Sequence, residues 1–473
     1  MEYKVPPKIQ YGPVPVIFED PNKDDQDKKI NFLKKIIEIE IGINMVIGAV
    51  LVFLVILMIA WKTNLSSRPT DQSSAENFQS QVRVVEPAEA TDQRIITAKG
   101  IAPIYIHEQI VNIERAFSAP ADEIILTVHG PLKKEVLGFL PYWALDKLDD
   151  ISLKVLSQVS WFGLEVDGEG NIIKSDLNGQ TVSHWAYLND PKFDKFLDKA
   201  KRERLKVYVT LKCFNQDNIV KIATSPEARQ NFIKQALFLM NSKNFDGINL
   251  DFEYIGTPTD NVRNGFSLLV INLNKELKRQ HPKAQLTIDT FIDAASNIRI
   301  HDVPVLAQNS DALVIMGYDF STPNSSTAGP VAPMEGGYSI FNFMSSYLEK
   351  APSDKLILAV PYYGYDWPVI SASFNAPVSG SRADVRIRPY AEIADATKNT
   401  QINWDEASQT PWFSYIDAEN GATRVTHFEN TRSLGIKYDF INDKNLKGVG
   451  IWALGFDGKR NDLAQLLSDK FAK

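Results

Sequence analysis

A (β/α)8 TIM barrel with a small α+β insertion between its seventh and eighth strands, preceded by a single transmembrane helix and a linker, is the architecture this sequence predicts. Three observations predict it. Eight short apolar runs alternate with helical stretches from about residue 134 onward. About 80 residues separate the last two of those runs. An uncharged run of about 21 residues lies near the N-terminus.

That run, Ile41 to Trp61 (IGINMVIGAVLVFLVILMIAW), would extend about 32 Å as a helix, enough to cross the hydrocarbon core. A secretory signal would start nearer Met1 and have a shorter apolar stretch. Trp61 and Lys62 suit the interface. Lys28, Lys29, Lys34 and Lys35 precede the span, while Lys62 and Arg68 follow it. Basic residues favour the cytoplasmic side, so a single-pass cell-membrane protein with the bulk of its chain, the barrel, outside is expected. Residues 1–40, polar and mixed in charge, read as a cytoplasmic tail. Residues 62 to about 98, rich in Ser, Gln, Glu, Thr and Ala, read as a linker. Over 99–133 the runs IAPIYI and EIILTV suggest short strands or a docking segment, which completes a connector over 62–133.

The barrel is expected over 134–473. Its strand candidates are Val136–Leu140, Val159–Leu164, Val207–Leu211, Gly247–Phe252, Leu286–Thr290, Ala312–Gly317, Leu356–Pro361 and Gly448–Ala453. Between them, Ser225-Pro226-Glu227 places a helix N-cap and a proline at the first helical position. Asn261–Gln280 repeats its apolar residues at helical spacing. In the long gap, WFSYI and TRVTHF flank Gly421 as strand candidates, which puts the insertion at about 369–428. The stretch Thr431–Asp443 reads as the returning barrel helix.

Composition narrows the chemistry. A formal charge of −7 argues against a nucleic-acid binder but admits a neutral or cationic glycan. The one cysteine, Cys213, excludes an intramolecular disulfide and a cysteine-based zinc site, and reads as a small apolar filler near the third strand. The six histidines lack metal-ligand spacing and no phosphate-binding glycine loop is present, so no metal or cofactor is expected. A monomer is expected.

The informative segment is Phe245-Asp-Gly-Ile-Asn-Leu-Asp-Phe-Glu253. Alternate side chains of a strand share a face, so Asn249, Asp251 and Glu253 point together into the barrel while Leu250 and Phe252 face the helices. Polar groups on an inward face are costly to desolvate. Glu253, at the carboxyl end, falls at the mouth where this fold places its active sites. Taken alone, such an alternation also fits a strand running out to a solvated edge.

The segment resembles the D-x-x-D-x-D-x-E signature of glycoside hydrolase family 18, which includes many chitinases and N-acetylglucosaminidases. Met316-Gly-Tyr-Asp319, Val360-Pro-Tyr-Tyr-Gly364, Gly450-Ile-Trp452 and Phe139-Leu-Pro-Tyr-Trp143 resemble that family's sixth, seventh, eighth and first strands, in order. The resemblance covers about 134–473. It implies a substrate-assisted, retaining mechanism without a protein nucleophile. Glu253 would protonate the leaving oxygen and then act as base toward water. Asp251 would orient the 2-acetamido N–H, and Tyr318 would hold the acetamido oxygen. Trp452 would floor the reacting sugar's subsite. Asp319 would lie near the acetamido group or serve as a structural hydrogen-bond acceptor. Tyr142, Trp143 and Tyr362 would extend the groove, with Tyr363, Tyr365 and Trp367 clustered nearby. The family's usual inner aspartate is Asn249 here, as it is in the spore-cortex and wall-lytic members this chain resembles. An amide cannot titrate, but it could donate to Asp251 and keep it oriented.

The reading that follows is hydrolysis of β-1,4 bonds next to N-acetylglucosamine, in peptidoglycan or a chitin-like polymer. The membrane span and Asn249 favour peptidoglycan. Two other classes remain: a lectin-like barrel that binds glycan without cutting it, which would tend to lack Glu253, and a wall-contacting tether, which would lack a groove of exposed aromatics.

Overall fold

The computed structural model describes residues 111–472. The expected tail over 1–40, the span at 41–61 and the linker up to residue 110 lie outside the described residues. Among the described residues, no helix is long and apolar enough to cross a membrane.

Eight parallel strands close into a barrel: β1 (Glu135–Pro141), β2 (Gln158–Glu165), β3 (Lys206–Cys213), β4 (Gly247–Phe252), β5 (Gln285–Phe291), β6 (Ala312–Met316), β7 (Leu356–Pro361) and, after an insertion, β13 (Gly448–Trp452). All eight expected strands are present, with ends that differ by at most two residues. Helices connect them on the outside. Pro226–Lys243 starts where the sequence signalled, with the Ser225 hydroxyl accepting from Ala228 N at 3.1 Å. Thr431–Asp443 is capped by Asn430, whose side chain accepts from Arg432 N and Ser433 N. Phe252 on β4 packs its ring against Phe232 and Phe266 of two outer helices, with centroids 5.7 Å away in each case. Truncating so enclosed a phenylalanine to alanine costs about 3–5 kcal/mol in a typical core.

The barrel interior is layered and partly polar. At its base, Tyr208 donates to Gln158 at 2.8 Å and also bonds Gln285. One layer up, Ser160 and Thr210 share a hydrogen bond of 2.7 Å. Gly247 opens the space between these layers, because a Cβ there would fall 2.4 Å from the Gln285 carbonyl.

The insertion is an antiparallel sheet ordered β10-β11-β12-β8-β9. Its strands are β8 (Tyr363–Pro368), β9 (Arg386–Pro389), β10 (Asn403–Asp405), β11 (Thr410–Ile416) and β12 (Thr423–His427). It therefore begins at residue 363, six residues before the expected boundary. The run VPYYGYDWP is rich in aromatic residues on both sides of the junction, with Asp366 its one charged residue, so its composition does not mark the passage from barrel strand to insertion strand.

Upstream of β1, residues 111–118 are helical and bury Ile113, Ala116 and Phe117. The expected strand at EIILTV is instead an extended strap along the last helix, Asp462–Phe471. Thr127 N donates to Gln465 Oε1 at 2.7 Å, and His129 N donates to Ser468 Oγ at 3.0 Å. Asp122 accepts from Asn461 N and Asp462 N, each at 2.9 Å, at the start of that helix. Side chains of the helix satisfy the strap's backbone, so no β-partner is needed.

Candidate active site

The alternation along β4 places Asn249 and Asp251 inside the barrel, 0% and 4% exposed. The Asn249 amide donates to Thr287 Oγ1 at 3.0 Å and to Asp289 Oδ1 at 2.8 Å, both on β5. This corrects the expected donation to Asp251: the register sets Asn249 opposite Thr287, and its NH2 group is used across the strand pair rather than along its own strand. Asn249 Oδ1 and Asp251 Oδ1 are buried without a hydrogen-bond partner among the described residues.

Glu253 follows the end of β4, and its main chain is fixed from both sides. Its N–H donates to the Cys213 carbonyl at 3.0 Å, and its carbonyl accepts from Gln216 Nε2 at 2.9 Å. Gln216 Oε1 in turn accepts from Ile255 N at 2.7 Å. One glutamine on the β3 side thus pins the turn that carries the candidate acid. Cys213 is buried, and burial pushes its thiol up to about 12, which suits an inert filler.

Glu253, Asp251, Tyr318, Asp319 and Trp452 line one cavity at the carboxyl ends of the barrel strands. The cavity offers about 240 Å³ of accessible space and opens to solvent. Trp452 presents a half-buried indole held edge-on by Phe162, with centroids 4.6 Å apart, and by Phe139 at 6.0 Å. Asp319, in the left-handed region at φ 60°, accepts from Tyr365 Oη at 2.9 Å and from Tyr363 Oη. That arrangement is the hydrogen-bonding role kept open for it, at a position that still lines the cavity.

Three expected groove residues face elsewhere. Tyr142 and Trp143 lie in a 3₁₀ helix (Tyr142–Asp150) that turns away directly after β1. They are 2% and 5% exposed, stack edge-on at 4.8 Å and do not line the cavity. Tyr362 is also 2% exposed, and its hydroxyl lies 3.2 Å from that of Tyr438 on the returning helix. Its neighbours Tyr363 and Tyr365 line the cavity instead, while Trp367 is fully buried.

Sequence reasoning missed the β5 side of the site. Asp289 lines the cavity and is 4% exposed. It sits in LTIDTF, the same kind of alternation that singled out Asp251, so its signal was present. Asp293 and Arg299, in the loop after β5, also line the cavity and pair at 2.6 Å, with the guanidinium 5.5 Å from the Phe291 ring. A loop gives no such signal.

The electrostatics follow from burial. Loss of water pushes the Asp251 carboxyl well above the usual carboxylate range. Asp289 adds to the rise and Lys212 opposes it. Burial likewise raises Asp289, with the Asn249 hydrogen bond opposing and Glu253 adding. Burial raises the Tyr318 phenol, with Asp289 and Asp251 adding, so it stays a neutral donor. Among the described residues no group of His, Cys, Asp or Glu could hold a metal ion. The site can offer a carboxylic acid, a shielded carboxyl pair and a phenol to one ligand over an aromatic floor.

Comparisons with known proteins agree with this geometry. The model of the glycosyl hydrolases family 18 matches residues 139–457. The chain is 28% identical over 249 residues to the "Probable di-N-acetylchitobiase 1" of Dictyostelium discoideum, a match covering 47% of this chain and 65% of that protein. It is 28% identical over 233 residues to the cortical fragment-lytic enzyme of Bacillus subtilis, covering 48% and 50%. The chain thus spans between half and two thirds of the length of these two relatives. Among solved structures, the group IV chitinase of Ostrinia furnacalis superposes with a TM-score of 0.60 at 23% identity, covering 69% of this chain and 93% of that one, a likeness of fold. The chain belongs to the glycosyl hydrolases of family 18.

Proposed function

We propose that this chain is a glycosidase that cleaves β-1,4 bonds beside N-acetylglucosamine by a retaining, substrate-assisted route. The observation that carries the reading is that Glu253, Asp251 and Tyr318 line one cavity together with Trp452.

The sugar whose bond breaks lies on the Trp452 indole, which suits the C–H face of a pyranose. Glu253 gives its proton to the glycosidic oxygen as the C1–O bond breaks. The 2-acetamido oxygen, held by the Tyr318 hydroxyl, closes on C1 to give an oxazolinium ion. The Asp251 carboxylate accepts the acetamido N–H and balances the positive charge on the ring. Fixed charges of this kind, with an intramolecular nucleophile, supply much of the rate. Glu253 then takes a proton from water, which attacks C1 from the side the leaving group vacated. The acetamido group is restored and the anomeric configuration is retained.

We favour peptidoglycan over chitin as the polymer. Asn249 and the apolar run at 41–61 support this, since a cell-membrane anchor with the catalytic domain outside would keep the barrel near the wall. The names of the relatives include both a chitobiase and a cortical fragment-lytic enzyme, so both polymers belong in the test. The full chain is incubated with purified peptidoglycan and with chitin oligomers, and the products are weighed by mass spectrometry. Release from peptidoglycan by the wild type, and none by Glu253→Gln, is expected. Binding without release would favour the lectin-like alternative, and equal release by both proteins would mean the acid is misassigned.

A further inference from the structure

Asp289 has no counterpart in the signature segment and belongs to a different strand, yet it lies where that segment is altered. Asn249 cannot carry a proton, and its NH2 group holds Asp289 at 2.8 Å. Asp251 follows Asn249 by two residues on the same inward face. Two buried oxygens on that face, Asn249 Oδ1 and Asp251 Oδ1, lack a donor among the described residues. Both are acceptors while Asp251 is ionised, and an unsatisfied buried acceptor costs about 1–3 kcal/mol. A proton on Asp251 would supply the donor this face lacks.

We propose that Asp289 is the positioning residue for Asp251, and that the two carboxyls hold one proton between them in the resting protein. Asn249, which cannot hold a proton itself, keeps Asp289 in place through its amide. Two carboxyls enclosed together do not both ionise readily. When the acetamido group binds, its N–H takes the place of the missing donor at Asp251, and the shared proton settles on Asp289. No other bond is made or broken in that step. The charged and titratable groups acting on the pair are Lys212 on β3, Glu253 beyond β4 and Tyr318 beyond β6, while Asp293, Arg299 and Asp319 line the same cavity. Lys212, placed opposite Asp251 by the register, favours the ionised form of that residue over its partner's. The proposal rests on the glycosidase reading for its consequence in catalysis, but the pairing itself can be tested without substrate.

Carboxyl-labelled aspartate in the full chain, read by 13C NMR with Asp251→Asn and Asp289→Asn for assignment, reports both groups. In the wild type each carbon should move in two linked steps. In Asp289→Asn, Asp251 should titrate in a single step at lower pH, because a neighbouring negative charge is gone. In parallel, the pH–rate profile on chitin oligomers or peptidoglycan should lose one limb in Asp289→Asn, with kcat reduced about tenfold, the equivalent of about one pKa unit of lost coupling, and KM little changed. The double variant Asn249→Asp/Asp289→Asn returns the pair to β4 and should recover both the two-step titration and most of the rate. Independent single-step titrations in the wild type would overturn the proposal. So would a pH profile that Asp289→Asn leaves unmoved, or a double variant no better than the single. Linked titration in a chain that cleaves no glycan would uphold the pair and sink the glycosidase reading alone.

Discussion

Two buried carboxylate sites, one in the insertion and one at the barrel mouth, have opposite arrangements. In the insertion, Asp366 is fully buried but saturated. Arg424 Nε reaches Oδ1 at 3.0 Å and Tyr415 Oη donates to Oδ2 at 2.7 Å, with Arg388 at 3.9 Å. Arg424 also donates to the carbonyls of Asp366 and Asp384, at 2.8 and 2.9 Å. At the barrel mouth, Asp251 has Asp289 as a like-charged neighbour and Asp289 has Glu253; the Asn249 amide donates to Asp289 and not to Asp251, and both carboxyls line an open cavity. Burial pushes both sites upward; at Asp366 two guanidiniums and the Tyr415 hydroxyl oppose it, whereas at Asp251 the opposing cation is Lys212. Burial of charge therefore does not by itself mark a functional site. What marks one is burial beside an open cavity with a valence left for a visitor, and of these two sites the mouth has that.

If this contrast is right, substitutions in the two places should fail in different ways. The largest effect is expected for Glu253→Gln: glycan-cleaving kcat should fall about 10³-fold or more, with an unchanged melting temperature, as checked by product release and calorimetry. Arg424→Met should do the reverse. It leaves Asp366 buried with only the Tyr415 hydroxyl and the more distant Arg388, and should destabilise the fold by about 3 kcal/mol in denaturant titrations while the kcat per folded molecule stays near wild type. Tyr318→Phe removes one neutral donor from the cavity, and a fall in kcat of about a hundredfold with little change in stability is expected. The smallest effect belongs to Tyr362→Phe. Its hydroxyl meets Tyr438 rather than substrate, so a loss of about 1 kcal/mol of stability and unaltered kinetics should follow. A kinetic defect there would return Tyr362 to the groove.

The barrel strands were legible because each is a short apolar run closed off by turn residues, and the inward face of β4 was legible because a strand alternates. Trp452 and Tyr318 were reached by the family resemblance, whereas alternation reached Asn249, Asp251 and Glu253. It failed where regular strand geometry ends. Tyr142 and Trp143 follow β1 directly, but a 3₁₀ helix swings them toward the outer helices. Tyr362 stands between a barrel strand and an insertion strand, where a one-residue step decides whether a ring faces solvent, helix or cavity. Asp289 could have been found, since Thr287, Asp289 and Phe291 alternate inward as Asn249 and Asp251 do. Arg299 could not, because its place beside Asp293 depends on how a loop folds.

The strap ahead of β1 has a mechanical consequence. Its helix presses Ile113 and Phe117 against Gly455, and its Ala116 carbonyl lies where a Cβ on Gly458 would fall. Both glycines belong to the turn leaving β13, within six residues of Trp452. Among the described residues, tension entering at residue 111 therefore meets the turn after β13 before it meets β1.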